Sequence, residues 1–122
     1  MTEHATSVAV ARAFTEAWTS HDLDTAGSYL TEDVVFDGPL GHVNGKKAYL
    51  ESLNGLTQAL GVNGVRVVAV FGDDTQALIM YELITGRFGV LTCAKLLSMR
   101  DGKIQSDRLT FDSYEIRKAQ GR

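Results

Sequence analysis

Three charged side chains occur in this sequence among apolar neighbours, where charge is costly and proton transfer is the chemistry they could do. Asp37 ends the apolar run Val34-Val35-Phe36 and stands directly before Gly38-Pro39. In an apolar site the charged form of an aspartate is disfavoured, which raises its pKa toward the range useful for acid–base work. The same residue could instead cap the Asp-Gly-Pro turn by accepting backbone N–H bonds. Lys95 shares alternate strand positions with Leu91, Cys93, Leu97 and Met99, so it either snorkels to a rim or is held by a carboxylate. Asp101-Gly102 is the strongest hairpin signal in the chain, and counting outward from it pairs residues whose numbers sum to about 203. Lys95 then falls near Arg108, and Asp107 near Leu96, which makes Asp107 a diagonal neighbour of Lys95. An Asp107–Lys95 ion pair is therefore expected. It reads either as a structural or rim pair, or as a working one with Lys95 as electrophile or anion anchor and Asp107 or Asp37 as base.

Other chemistries lack their residues. No set of His, Cys and carboxylates has metal spacing, and Cys93 has no histidine near it in sequence, so it reads as a buried strand thiol. No Gly-rich phosphate loop follows a strand; neither a metal nor a cofactor is expected. The net charge of −3 and pI near 5.5 exclude the concentrated basic face that a nucleic-acid partner needs. The N-terminal MTEHATSVAVARAF lacks a secretory pattern, and no stretch reaches the roughly 20 apolar residues that span a bilayer. With one cysteine among 122 residues, a cytoplasmic location fits. The length suits one domain, residues 1–122, that buries its own core.

Helical segments come first and strands follow. Val8, Ala11, Phe14, Ala17 and Trp18 recur at three-to-four spacing, which predicts a helix of roughly four turns entering at Val8, capped by Ser7 or Thr6. Asp22 starts a short second helix with Leu23, Ala26 and Leu30 inward. After a loop from Gly38 to Gly45, a third helix begins at Lys46, with Tyr49, Leu50 and Leu53 on its apolar face and Gly55 or the Gly61 region as its end. From Val65 the period changes to two. Strands are predicted over 65–71, 76–85, 90–99 and 103–116, turning at Gly72-Asp73-Asp74, Gly86 to Gly89 and Asp101-Gly102. Three helices before an antiparallel meander make an α+β chain. Leu78, Met80 and Ile84 alternate with Ala77, Ile79, Tyr81 and Leu83, so both sheet faces are apolar. Helices can cover only one, and a homodimer through the sheet is expected to cover the other.

Several motifs carry a resemblance: an aromatic first helix, His21-Asp22-Leu23-Asp24, a short helix running to Leu30 and Asp33, Val34-Val35-Phe36-Asp37, the Gly38-Pro39 loop, Gly45-Lys46-Lys47-Ala48, and finally Asp101-Gly102-Lys103-Ile104 with Arg108 and Phe111-Asp112. Over nearly its whole length the chain resembles the nuclear transport factor 2-like superfamily, and within it the SnoaL-like polyketide cyclases, steroid delta-isomerases and small epoxide hydrolases. The resemblance implies a cystatin-like roll, three helices on a curved antiparallel sheet that encloses a conical pocket. It implies Phe14, Trp18, Tyr29, Phe36, Tyr49, Leu109 and Phe111 as pocket walls, and His42 in a loop over the pocket mouth. Asp37 matches the base of the steroid isomerases. Their two hydrogen-bond donors do not carry over: Phe14 stands where they have a tyrosine, and Lys95 where they have a protonated aspartic acid. The aspartate that the cyclases and epoxide hydrolases place on the last strand is Leu109 here. Asp107, two residues earlier, shares its face and would enter the pocket with it.

Two functions follow from these residues. One is a small enzyme moving a proton on a hydrophobic, polyketide- or steroid-like molecule (isomerisation or cyclisation), with Asp37, Asp107 and Lys95 as candidate catalytic groups. The alternative is a non-catalytic binding or accessory protein that uses the same pocket, the usual catalytic positions having become Phe14, Lys95 and Leu109.

Overall fold

A computed structural model describes the backbone of residues 3–121 and the side chains of residues 6–121. The elements run α1 (Glu3–Thr19), α2 (Leu23–Ser28), β1 (Leu30–Gly38), β2 (Gly41–Asn44), α3 (Lys46–Leu60), β3 (Val62–Gly72), β4 (Gln76–Thr85), β5 (Gly89–Arg100), β6 (Lys103–Phe111) and α4 (Tyr114–Ala119). The six strands form one curved, unclosed sheet in the order β2-β1-β6-β5-β4-β3, and α1 packs on β3 and β4 while α3 packs on β1. The expected α+β arrangement is present.

The helices follow the apolar spacing. On α1, Ala11, Phe14, Ala17 and Trp18 are all buried. The helix begins before Val8, so Ser7 is no cap; its hydroxyl donates to the Asp73 carbonyl oxygen at 2.6 Å and ties α1 to the β3–β4 turn. Asp22 caps α2 as expected, accepting from Thr25 N–H at 3.2 Å. Gly55 does not stop α3, which runs on to Leu60 with Tyr49, Leu53, Thr57 and Leu60 buried at every third or fourth place. Gly61 ends it in the left-handed region (φ 66°, ψ 53°), a conformation that disfavours a side chain. Leu30 belongs to β1 rather than to α2, and the expected Gly38–Gly45 loop contains strand β2.

Two further elements depart from expectation. The last strand ends at Phe111, and Tyr114–Ala119 is a fourth helix with Ile116 buried. Asp112 accepts from Tyr114 N–H at 3.1 Å, and Glu115 in the first turn with Arg117 and Lys118 in the last suits a helix dipole. The sheet is also not wholly antiparallel, because β1 runs parallel to β6. All of α3 and β3 to β5 lie between those two strands in the chain, ample length for the crossover that a parallel pair demands.

Register decides which side chains face inward. Near the hairpin, Arg100 pairs with Lys103 and Met99 with Ile104, but beyond a bulge the pairs become Ser98–Ser106, Leu97–Asp107 and Lys95–Leu109. Lys95 therefore does not oppose Arg108, nor Asp107 Leu96. Direct partners share a face, so a one-residue slip inverts every side chain beyond it. The bulge turns Asp107 inward beside Lys95 and sends Arg108 outward. A second irregularity, between Leu30 and Val35 in β1, sets Phe36 opposite Asp107 and Asp37 opposite Arg108.

On β4 the alternation is complete: Ile79 and Tyr81 are 0% and 1% exposed, whereas Leu78 and Met80 are 51% and 43% exposed. The inner face meets the helices, and the outer face is apolar and uncovered in a single chain. Among the described residues no helix is long and apolar enough to cross a membrane.

Candidate functional site

Three elements deliver three polar groups to one point inside the sheet's concave side. β5 carries Lys95 and β6 carries Asp107, their inward direction set by the bulge. α3 supplies Tyr49 from its first turn, with Gly45 at its N-cap. Gly45 holds φ 94°, which favours glycine, and donates its N–H to the Val34 carbonyl at 2.7 Å while accepting from Tyr49 N–H at 3.0 Å. The helix start is thus bonded directly to β1.

Lys95 Nζ donates to Asp107 Oδ2 at 2.9 Å, and the Tyr49 hydroxyl donates to the same oxygen. Nζ also lies 3.4 Å from the Tyr49 oxygen. The side chains of Lys95 and Asp107 are 1% and 0% exposed. Three aromatic rings surround the ammonium, with centroids at 5.0 Å (Trp18), 5.4 Å (Phe14) and 5.9 Å (Phe36). Their negative faces attract the cation, and more strongly where water is excluded. Phe36 and Tyr49 stack at 5.0 Å. Asp107 Oδ1 and Trp18 Nε1 are buried with no hydrogen-bond partner among the described residues.

Burial, then the negative charge of Asp107, holds the Tyr49 hydroxyl well above the ordinary phenol range. Tyr81 is raised likewise, by burial first and then by Cys93 and Asp107. Burial pushes the Cys93 thiol up, with the Lys95 charge opposing it. These groups therefore hold their protons at neutral pH, which makes the two phenols donors.

Two cavities lined by inward-facing side chains adjoin the cluster, while a third, 420 Å³ and bounded by Leu78, Leu96 and Arg108, lies on the outer face of the sheet. Of the first two, the outer one, 280 Å³, is lined by the β1–β2 hairpin (Gly38 to Val43), Tyr49, Ser52, Leu53, Leu56, Phe36, Leu109 and Phe111. The inner one, 20 Å³, includes Trp18, Tyr81, Cys93 and Lys95 in its wall. Phe36, Leu53, Leu56, Leu109 and Phe111 line both. Asp107 lines neither.

The candidates from sequence separate accordingly. Asp107 and Lys95 come together, and Tyr49 joins them as a hydrogen-bond donor rather than only a wall. Phe36, Trp18, Leu109 and Phe111 are cavity walls, whereas Phe14 is wholly buried behind them and Tyr29, half-buried, packs on the core. Asp37 is outside the cluster. Its side chain is 62% exposed and its Oδ1 lies 3.2 Å from His42 Nδ1. The apolar surroundings expected for Asp37 are absent because strand alternation turns Phe36 in and Asp37 out. His42 lines the outer cavity's mouth, with Nε2 3.0 Å from Asn44 Oδ1. His21 is exposed, and the His4 side chain lies outside the described residues. Tyr81 has no assigned purpose in the sequence, which puts it on one face with Ile79; burial makes that face the inner one. No three His, Cys, Asp or Glu side chains among the described residues gather as a metal site would need.

Two stability measurements test this cluster. Asp107→Ala leaves the buried Lys95 charge unpartnered and is expected to cost about 3–5 kcal/mol in urea unfolding, most of it regained when Lys95→Met and Asp107→Leu are combined. A cost under about 1 kcal/mol for Asp107→Ala, a surface-pair value, would contradict the enclosure. The raised phenols act at high pH. Above about pH 10 the unfolded chain's tyrosines lose protons that Tyr49 and Tyr81 keep, so stability is full below that pH and falls above it. Each contributes at most about 1.4 kcal/mol per pH unit, and the slope measured between about pH 10 and 11 should become shallower by roughly 1 kcal/mol per unit in Tyr49→Phe, because the unfolded phenol is only partly ionised there.

Comparison with known proteins places this arrangement. The chain is similar to the crystal structure of a protein from Kribbella flavida DSM 17836 (29% identity, 96% of this chain and 95% of that one, TM-score 0.88). It is also similar to a candidate ketosteroid isomerase from the same organism (20% identity, 91% and 81%, TM-score 0.79) and to an LEH-like epoxide hydrolase of M. tuberculosis (22% identity, 95% and 90%, TM-score 0.78). These last two establish a shared NTF2-like fold. No curated protein matches the chain in sequence. The profile of the SnoaL-like domain matches residues 11–106, a span that runs from within α1 into β6 and holds Lys95, and so the chain belongs to the SnoaL-like domain family.

Proposed function

We propose that this protein binds a small, mostly apolar molecule, polyketide- or steroid-like in character, in the cavity beneath the β1–β2 hairpin, and moves a proton on it with Asp107, Lys95 and Tyr49. The observation that carries this reading is the enclosed cluster behind the cavity wall, where one carboxylate oxygen takes both the ammonium and the phenol while Oδ1 has no partner among the described residues. A buried ion pair contributes little to stability compared with apolar residues of the same volume, so its presence beside a cavity points to use. The cavity's 280 Å³ approaches the ~300 Å³ at which small-molecule sites begin. The names of two similar structures, a candidate ketosteroid isomerase and an epoxide hydrolase, agree with a small-molecule substrate. A cytoplasmic location, inferred from the lone buried Cys93, belongs to the same reading.

A second reading, a non-catalytic binder, is favoured by one feature: Asp107 lines neither cavity. A thermal-shift ligand screen followed by turnover assays separates the two. As an enzyme, Asp107→Asn should still bind the selected ligand while turnover falls by about 10²–10⁴, the usual contribution of a general acid or base. A ligand that wild type binds and releases unchanged leaves the binder.

The outer sheet face belongs to the same proposal. Leu78, Met80, Ile84, Val68 and Val90, each at least 40% exposed, form a surface that a second copy of the chain would cover. Light scattering should report a dimer for wild type and a monomer for Leu78→Glu. A monomeric wild type at micromolar concentration would end this part of the proposal.

A further inference from the structure

The single tryptophan of the chain offers a donor that no protein group accepts. Trp18 is 1% exposed, and its indole N–H has no partner among the described residues. An unsatisfied buried donor costs about 1–3 kcal/mol, and native proteins leave few of them. Trp18 lines the inner cavity together with Lys95, and that cavity shares five wall residues with the outer one. The two differ in what they can hold. At 20 Å³ the inner one has room for about one water-sized group, and at 280 Å³ the outer one accommodates a ring system.

Charge narrows the choice of guest. The Lys95 ammonium is already matched by the Asp107 carboxylate, and the Tyr49 hydroxyl is donated to that same carboxylate. A guest carrying its own carboxylate would bring a second anion close to Asp107 with no second cation to balance it, at high desolvation cost. The unused donor at Trp18 is neutral, and a neutral acceptor suits it.

We propose that Trp18 is a specificity-determining ligand contact, its indole N–H donating to a carbonyl oxygen at one end of an uncharged apolar ligand whose remainder fills the outer cavity. This rests on the reading above that the cavity is the binding site. Trp18 then selects carbonyl compounds over hydrocarbons of the same shape, and neutral compounds over carboxylates.

Three probes of similar size test it: 2-acetylnaphthalene, 2-isopropylnaphthalene, which lacks the oxygen, and 2-naphthoate, which is an anion. Binding is measured by calorimetry and by proton–nitrogen correlation spectra, in which the one tryptophan gives one indole signal. The ketone should bind about tenfold tighter than the hydrocarbon, the worth of one buried hydrogen bond, and at least as much tighter than naphthoate. The indole proton should move downfield with the ketone and stay in place with the hydrocarbon. In Trp18→Phe the ratio of ketone to hydrocarbon affinity should fall from about ten to about one, whatever the change common to both; should that variant not fold, the indole shift in wild type decides alone. Equal affinities for ketone and hydrocarbon, an unmoved indole signal, or naphthoate binding most tightly would each overturn this inference and leave the cavity as a binding site. If none of the three binds, the cavity reading falls and this inference falls with it.

Discussion

A lysine ammonium and an aspartate carboxylate removed together from water constrain everything around them. Each ion alone would cost several kcal/mol to enclose, so the pair at 2.9 Å is tolerable only while the geometry holds. The geometry comes from three separate elements, β5, β6 and α3. Loss of register in the β5–β6 hairpin, or displacement of the first turn of α3, would leave a charge or a phenol buried without its partner. The aromatic rings of Phe14, Trp18 and Phe36 both exclude water and face the ammonium with electron density. Core packing and polar chemistry are here the same set of contacts.

The bulge between Ser98 and Met99 on one strand and Ile104 and Ser106 on the other is what permits this. With regular pairing Asp107 would lie on the outer face with Leu96, and Arg108 would enter the core opposite Lys95, placing two cations together. One extra residue exchanges those roles. The irregularity in β1 does the equivalent for Phe36 and Asp37, bringing a ring to the cluster and leaving a carboxylate in water beside His42. Family resemblance made Asp37 the leading base candidate, and strand phase removed it from the enclosed cluster.

A sheet apolar on both sides has two tasks. The concave side closes over α1 and α3 and leaves the paired cavities; the convex side presents Leu78, Met80 and Ile84 to whatever covers it. Leu109 in the cavity wall and Phe14 buried behind it are hydrocarbon on the side of the sheet that holds the charged pair. Lys95 pairs directly with Leu109 across the β5–β6 ladder, and Asp107 lies two residues before Leu109 on the same face.

The sequence by itself determined the helical spacing of α1 and α3, the two-residue period from β3 onward, the turns at Asp73, Gly86 and Asp101, and the membership of the fold, because these depend on local propensity and on which side chains avoid water. It also brought Asp107 and Lys95 together, although by pairing arithmetic that the bulge revised. Asp112, Glu115, Arg117 and Lys118 carry the local signals of α4, but a strand period that reaches Phe111 masks where β6 ends. Tertiary structure alone decided the outward direction of Asp37 and Arg108, the parallel pairing of β1 with β6, and the role of Tyr49 as a donor. Each depends on register between segments distant in sequence, and a bulge that shifts register by one residue leaves no mark in local composition.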